Sequence, residues 1–418
     1  MTLEERSDLV LAFARTLYTN GQSTDETLAA AERLGQHLGV RARIIPRWGT
    51  LQLQVEDGGS RLVSSVAADP TGVDMDRVAS AMQALEDLCA GRLAPAAAAK
   101  ALGAISQAPP APTWLFTLAT AAGAVALGVL FGVQHAATAA LISVSAAAGA
   151  VLRRWLGRYS ANVFLQPFCA ALLAGVIGAL ADRYQLSSPL RLVAVCPCMI
   201  LVPGPHVLNG AMDLIEARVL LGAARMIYAG LVILAISSGL LLGLALFGVS
   251  LPVSEAGRAV PLWVDTMAAG VAVAAYSVFF STPLSMLAWP VAVGMLAHAL
   301  KWWSLAMLGS GAAASGVFVA CFVVGLILTP VARRSHMPFA AIGFASVVSM
   351  LPGVFLFRMA SGLLQLAEGS QATLELIGAT IANGASAVAV IVAMSFGLVV
   401  PKIGLDRLGD GAMPSKSR

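Results

Sequence analysis

The stretch from Pro203 to Arg218, PGPHVLNGAMDLIEAR, gathers polar side chains in an otherwise apolar part of the chain. On a helix, Asn209, Asp213 and Glu216 fall at i, i+4 and i+7 and form one polar stripe. A carboxylate part-way into a bilayer is costly unless it is protonated, paired or facing water. In a low-dielectric setting a carboxylic acid holds its proton, which suits a reversible proton carrier. Asp213 therefore reads as a proton-coupling residue or the partner of an ammonium group, with Glu216 as a second coupling candidate. The plainer reading puts this stretch near the cytoplasmic surface, with Glu216 and Arg218 merely solvated. Arg358 has the geometry to fork onto a carboxylate, and its plainer reading is an arginine snorkelling to the outer surface. Asn162 and Asn383 sit in apolar stretches where hydrogen bonding between helices is the ordinary role; Asn383 joins Asn209 as a candidate substrate contact.

Other chemistries find little support. The five histidines show no metal spacing. Cys196-Pro197-Cys198 is neither a redox pair nor a zinc motif, and the other three cysteines are scattered. Gly-x-Gly-Asp and Gly-x-Ser-Gly, the marks of intramembrane proteases, are absent. No cofactor, no metal and no enzymatic activity are expected.

The elements that must position these residues are helices broken in the membrane. Pro189 to Gly204 (PLRLVAVCPCMILVPG) and Pro338 to Gly353 (PFAAIGFASVVSMLPG) both run from a proline to a Pro-Gly pair over the same length. Upstream, FCAALLAGVIGALADRY from Phe168 aligns with FVACFVVGLILTPVARR from Phe318, given one gap. Proline removes a backbone donor and clashes with the preceding turn, and glycine relaxes the chain. Pro203, Gly204 and Pro205, and Pro352 and Gly353 in the second half, are the expected helix breaks. Polar backbone freed at such depth is tolerated only beside protein or a water-filled cavity, so Gly204 and Gly353 also count as candidate substrate contacts. In this alignment Arg358 stands opposite Asn209, and Gly362 opposite Asp213.

Composition sets the frame. The chain has 418 residues, of which 58% are hydrophobic and 11% charged, at a mean hydropathy of +0.82. A soluble protein carries roughly 25% charged residues. Residues 1–112 hold 23 of the 48 charges, with 10 basic and 13 acidic. This pattern excludes a single soluble globule and a disordered chain. It also excludes a nucleic-acid binder, which needs clustered basic residues.

Apolar stretches long enough to span a bilayer predict ten spans, near 113–133, 136–152, 160–181, 189–218, 225–249, 261–280, 283–300, 304–328, 338–368 and 374–400. Two five-span halves, 109–250 and 251–402, would then have opposite orientations, and a tail of residues 403–418 would follow. Inverted halves with matching Pro/Gly interruptions are a signature of secondary transporters. With the N-terminus inside, Arg153, Arg154, Arg158, Arg218, Arg225, Arg333, Arg334, Lys402, Arg407, Lys416 and Arg418 are cytoplasmic. Arg183, Arg191, Arg258, Lys301 and Arg358 then fall on the other side, with Asp182 and Asp265 at the outer interface. That distribution follows the positive-inside rule. Glu4, Glu5, Arg6, Asp8 and Arg15 interrupt any signal-peptide core, so both termini are expected in the cytoplasm.

Residues 1–108 read as a small α+β domain. Leu9, Phe13 and Leu17 mark an amphipathic helix ended by Gly21, and Ser23-x-x-Glu26 opens a second helix. Alternating strands follow at 40–48, 51–55 and 61–66, with Asp57-Gly58-Gly59 as a hairpin turn. Helices are expected at 74–89 and 95–105, and Pro109–Pro112 is a stiff linker. The domain carries no phosphate loop or nucleophile signature and reads as a regulatory or assembly module.

With these residues in place, the sequence resembles the bacterial threonine/serine exporter family over nearly its whole length. The resemblance rests on the Pro203-Gly204…Asn209-Gly210…Asp213 run with Arg225 beyond it, on Pro352-Gly353, and on the helix–hairpin–helix order of the first 105 residues. It implies export of small hydroxy amino acids across the cytoplasmic membrane, driven by the proton gradient. Related split systems are associated with dicarboxylate export. The partners would be a small amino acid, protons and the lipid bilayer, with homo-oligomerisation left open. Two alternatives stand beside this: a dicarboxylate (succinate-type) exporter, which would want a second cation in the cavity, and a membrane sensor or scaffold working through its N-terminal domain.

Overall fold

A computed structural model describes residues 1–186, 191–254, 260–308, 313–350, 352–369 and 373–411. Pro189, Arg258, Lys416 and Arg418 lie outside the described residues.

The N-terminal domain follows its sequence signals closely. Helices α1 (Leu3–Thr19) and α2 (Thr24–His37) lead into the antiparallel strands β1 (Arg41–Arg47), β2 (Gly49–Asp57) and β3 (Ser60–Ala68), in the order β1-β2-β3. Strands β2 and β3 run a few residues longer than the alternation indicated, and β1 is one residue shorter at each end. Gly58 and Gly59 both take positive φ, 52° and 98°, which is the two-residue turn that matches strand twist. Leu51, Leu53 and Val55 of β2 point into the core, fully buried with Phe13, Leu17 and Leu34. Burying each such side chain stabilises by roughly 1.5–3 kcal/mol. Helices α3 (Met75–Cys89) and α4 (Pro95–Gln107) complete the domain.

Asp74 caps α3 by accepting the Arg77 amide at 3.1 Å. Burial raises its carboxyl above the ordinary range, and the Arg77 hydrogen bond and charge oppose that. A carboxyl raised in the folded state contributes stability below its unfolded value and loses it as pH rises through the folded one. Asp74→Asn should therefore keep the cap and flatten the pH dependence of unfolding. Asp74→Ala should cost about 1 kcal/mol through loss of the cap. Thermal unfolding of the full chain from mildly acidic to neutral pH checks both.

The rest is helical: α5 (Thr113–Leu130), α6 (Ala136–Leu156), α7 (Leu165–Arg183), α8 (Leu192–Met199), α9 (Gly204–Ile215) and α10 (Val219–Ala245), then α11 (Leu262–Phe279), α12 (Ala288–Leu308), α13 (Ala313–Ser335), α14 (Phe339–Val347), α15 (Gly353–Ala367) and α16 (Leu374–Gly411). Among the described residues, seven helices are long and apolar enough to cross a membrane, or nine if each bent pair is one span. The bent pairs are α8–α9, at 49°, and α14–α15, at 65°. These are the two segments where Pro-Gly breaks were expected. Helix α12, near the expected 283–300 span, carries His298 and Lys301 and is not in this set. Exposed Ile227, Leu231, Leu234 and Leu242 form an apolar stripe along α10, and Ile381, Val388, Val392 and Phe396 form another along α16, as lipid-facing helices require. The chain is a multi-pass helical membrane protein with a small α+β domain in front.

Packing in the two groups of helices matches contact for contact. A Cβ on Gly175 of α7 would lie 2.4 Å from the Leu240 carbonyl of α10, and one on Gly239 would lie 2.3 Å from the Phe168 carbonyl. In the second group, Gly325 of α13 meets the Leu398 carbonyl of α16, and Gly397 meets the Phe318 carbonyl, both at 2.8 Å. Phe168 and Gly175 are the residues that align with Phe318 and Gly325. Helix α5 packs on α11 where the groups meet.

Two expectations change. Asn162 does not lie in a span: it is exposed in the turn before α7, where it accepts the Phe164 amide at 2.9 Å. Phe164-Leu165 starts the helix only after that Asx-type turn. Helix α16 runs through Pro401 to Gly411, past the expected start of a tail at 403. Lys402 and Asp406 pair one turn apart at 2.6 Å, and Arg333 also holds Asp406.

Candidate functional site

Helix α9 starts directly after Pro203 and ends at Glu216. Ala217 then takes the left-handed conformation, φ 59°, which costs an L-residue roughly 1–2 kcal/mol. The Arg218 amide donates back to the Asp213 carbonyl at 2.8 Å and closes the turn. Helix α10 can then return so closely that a Cβ on Gly222 would lie 2.9 Å from the Gly210 carbonyl. This reversal places Arg218 and Arg225 on either side of Asp213.

Asp213 is 1% exposed and Arg225 2%. Their closest approach is Arg225 Nε to Asp213 Oδ2 at 3.1 Å, an ion pair without aligned hydrogen-bond geometry. Arg218 Nη1 lies 3.3 Å from Asp213 Oδ1 and also pairs with Asp25 of α2. The N-terminal domain roofs this cluster. Asn209 donates to the Gly21 carbonyl at 3.2 Å, Arg225 donates to Thr24 Oγ1 at 3.4 Å, and the guanidinium stands 5.4 Å over the Tyr18 ring. Burial raises the Tyr18 hydroxyl against the opposing pull of Arg225, so it stays protonated and donates to the Arg47 carbonyl at 3.1 Å. Two acids balance two guanidinia. Glu216 is not among them: it is exposed beyond the end of α9, so the expected three-residue stripe reaches the site only through Asn209 and Asp213.

The two breaks interlock. Gly204 packs on the Phe344 ring of α14, and Gly353 faces Met199 of α8. Each break thus sits against the first arm of the opposite pair. Tyr276 of α11 donates to the Met199 carbonyl at 2.8 Å. Between the breaks the described residues Val202, Phe344, Pro352, Leu356, Met394 and other mostly apolar side chains line a small cavity of about 40 Å³. Gly204 and Gly353, expected as substrate contacts, are packed against protein side chains in this structure.

The second-half candidates gather elsewhere. Arg358 is buried on α15. On the same helix Ser361 donates to the Leu251 carbonyl at 2.8 Å, while Asn383 of α16 donates to the Val253 carbonyl at 3.0 Å. Asn209 and Asp213 thus lie under the N-terminal domain, and Arg358 and Asn383 lie on helices tied to residues 251–253; the structure does not bring them into one pocket. Gly362, opposite Asp213 in the alignment, has no room for an acid, since a Cβ there would meet Thr380 Oγ1 at 2.1 Å.

Sequence reasoning missed a buried chain of three. His298 Nδ1 lies 2.7 Å from Asp265 Oδ2, and its Nε2 reaches Ser349 beside the second break. Asp265, expected only as an interfacial residue, is its outer member. The available signal was a histidine and a lysine interrupting the apolar run 288–308. No group of three or more His, Cys, Asp or Glu among the described residues is placed to hold a metal ion.

The family described as "Putative threonine/serine exporter" matches residues 8–247, and a second threonine/serine exporter family matches residues 265–403. The chain is 24% identical over 409 residues to a protein of Mycobacterium tuberculosis named "Probable threonine/serine exporter", covering 88% of this chain and 74% of that protein. No solved structure matches.

Proposed function

We propose, for a chain that belongs to the threonine/serine exporter family, that it carries threonine or serine out of the cytoplasm in exchange for protons. The buried Asp213–Arg225 pair, at the far end of the helix that starts at the Pro203-Gly204 break, carries this reading. A carboxylate balanced by arginines can exchange its partner for a proton as the surrounding helices move, which is the elementary step of coupling. The Asp265–His298–Ser349 chain places hydrogen-bonded groups able to carry a proton at the second break. Arg358 and Asn383 would meet the substrate when that half opens.

The matched contacts of α7 with α10 and of α13 with α16 support an inverted repeat, with α12 as the tenth span. They also favour rocking of one half against the other. Sidedness follows from charge. The arginine-rich ends are those that touch the N-terminal domain and its linker: Arg154 donates to the Ala111 carbonyl of the linker, Arg218 pairs with Asp25, and His336 lies 3.0 Å from Glu86. Under the positive-inside rule this end, the N-terminal domain and α16's end are cytoplasmic in the inner membrane.

Cells loaded with a serine- or threonine-containing dipeptide, with and without the protein and a protonophore, test the proposal. The expected result is protein-dependent efflux that the protonophore abolishes. Efflux insensitive to the protonophore removes proton coupling. No efflux from cells with the protein in the membrane overturns the amino-acid reading and directs the assay to succinate. If that also fails, the sensor alternative remains, in which the N-terminal domain docked on Asp213 would be the working part.

A further inference from the structure

A cavity of about 520 Å³ opens beside the first break, between the N-terminal domain and helices α6, α10 and α11. Its size falls in the ~300–1,000 Å³ range of small-molecule sites. Three arginines, Arg153, Arg154 and Arg158, line it, together with Pro203, His206 and Tyr228. The acid in its lining is Asp74, already occupied by the α3 amide at 3.1 Å and by Arg77 at 3.6 Å.

Arg154 is used up structurally. It donates to the Ala111 carbonyl at 2.8 Å and stacks 4.5 Å over the Phe116 ring. Arg153 is different. Its guanidinium stands 5.2 Å over the Phe279 ring, and its Nε and Nη1 are buried without a hydrogen-bond partner among the described residues. A buried cation with idle donors is expensive. His206 offers a second idle atom on the same wall. Its Nδ1 has no partner, while the backbone of Pro70 and Thr71 holds the other ring nitrogen, and the ring packs 5.0 Å from Tyr228. With that nitrogen donating to the backbone, Nδ1 presents a lone pair.

We infer that this cavity is the receiving site on the N-terminal-domain side, and that the Arg153 guanidinium binds the carboxylate of the transported molecule. Nε and Nη1 are two unpaired donors of a permanently charged group, and a charged N–H takes a carboxylate oxygen in a strong, short hydrogen bond. The His206 Nδ1 lone pair faces the ammonium of a zwitterion. The ligand then lies against Pro203, where bending at the break would pass it inward. The identity of the carboxylate rests on the exporter reading above; the site itself rests on the cavity and its idle donors. A free amino acid and a diacid share the carboxylate, so the test separates them.

The measurement is equilibrium binding of labelled L-serine to the purified full-length protein in detergent. Competitors are serinamide, which lacks the carboxylate, 3-hydroxypropionate, which lacks the ammonium, and succinate. Serinamide should displace serine at least tenfold less well than serine itself, and this arm needs no variant. Arg153→Gln should weaken serine binding at least tenfold and raise the KM for efflux, with Arg153→Lys between it and wild type. Equal displacement by serine and serinamide overturns the site, as does unchanged binding in both variants. Wild-type efflux with an unchanged KM in Arg153→Gln overturns the site and leaves the exporter reading intact. Succinate binding that depends on Arg153, without serine binding, upholds the carboxylate site and overturns the amino-acid reading. Binding of none of these carboxylates by the wild-type protein overturns the site.

Discussion

Asp213→Asn is expected to abolish net serine and threonine efflux and to destabilise the folded protein by about 3–5 kcal/mol, the cost of leaving a buried charge without its partner. Arg225 is 2% exposed and has nowhere to move. Above it lie Thr24 and the Tyr18 ring, and beside it the close α9–α10 contact. Arg218 and Asp25 pair with each other at the rim, so the loss falls on Arg225. The double variant Asp213→Asn/Arg225→Gln separates fold from function, because two neutral amides can hydrogen-bond without a stranded charge. Thermal unfolding in detergent should recover most of its loss in the double variant, while efflux should stay absent. Wild-type efflux from either protein would remove the carboxylate from the mechanism. Efflux restored together with stability would make the pair purely structural.

Much of this architecture is legible from local chemistry. The Asp57-Gly58-Gly59 turn, the Asp74 cap and the Pro203-Gly204 and Pro352-Gly353 breaks are each decided by a few adjacent residues. The structure has them where those residues point. The environment of Asp213 was legible only in part. Its spacing from Asn209 places both on one helical face, but nothing local says that the segment from Gly21 to Asp25 at the start of α2, almost 190 positions away, covers that face. The same limit explains Glu216. Periodicity places it on the stripe, whereas the chain reversal at Ala217 ends the helix and leaves it outside. Arg153 and His298 escaped notice for another reason. Each reads as an ordinary helix-end or span residue until tertiary packing shows which of its nitrogens have partners, Asp265 and Ser349 for His298 and none for Arg153 Nε and Nη1.

The paired breaks should respond unequally to the same small change. A Cβ on Gly204 would lie 1.5 Å from Cε2 of Phe344, a rigid ring buried against Tyr276 and Phe280 at centroid distances of 6.1 Å each. A Cβ on Gly353 would meet the Met199 side chain at 3.3 Å, and methionine is the side chain best able to yield. Gly204→Ala should therefore cost at least the ~1–3 kcal/mol of an overpacked core and abolish efflux. Gly353→Ala should stay within about 1 kcal/mol of wild type and keep transport. Adding Phe344→Leu to Gly204→Ala removes the ring edge and should return the folded yield. If efflux returns with it, the Gly204–Phe344 contact needs only to fit. If the protein folds but stays inactive, the glycine is required for movement at the break. Unfolding temperature and efflux, measured on all three proteins, decide between these. Equal tolerance at both glycines would mean that the helices separate at the breaks in the membrane, and that the interlocked state is not the resting one.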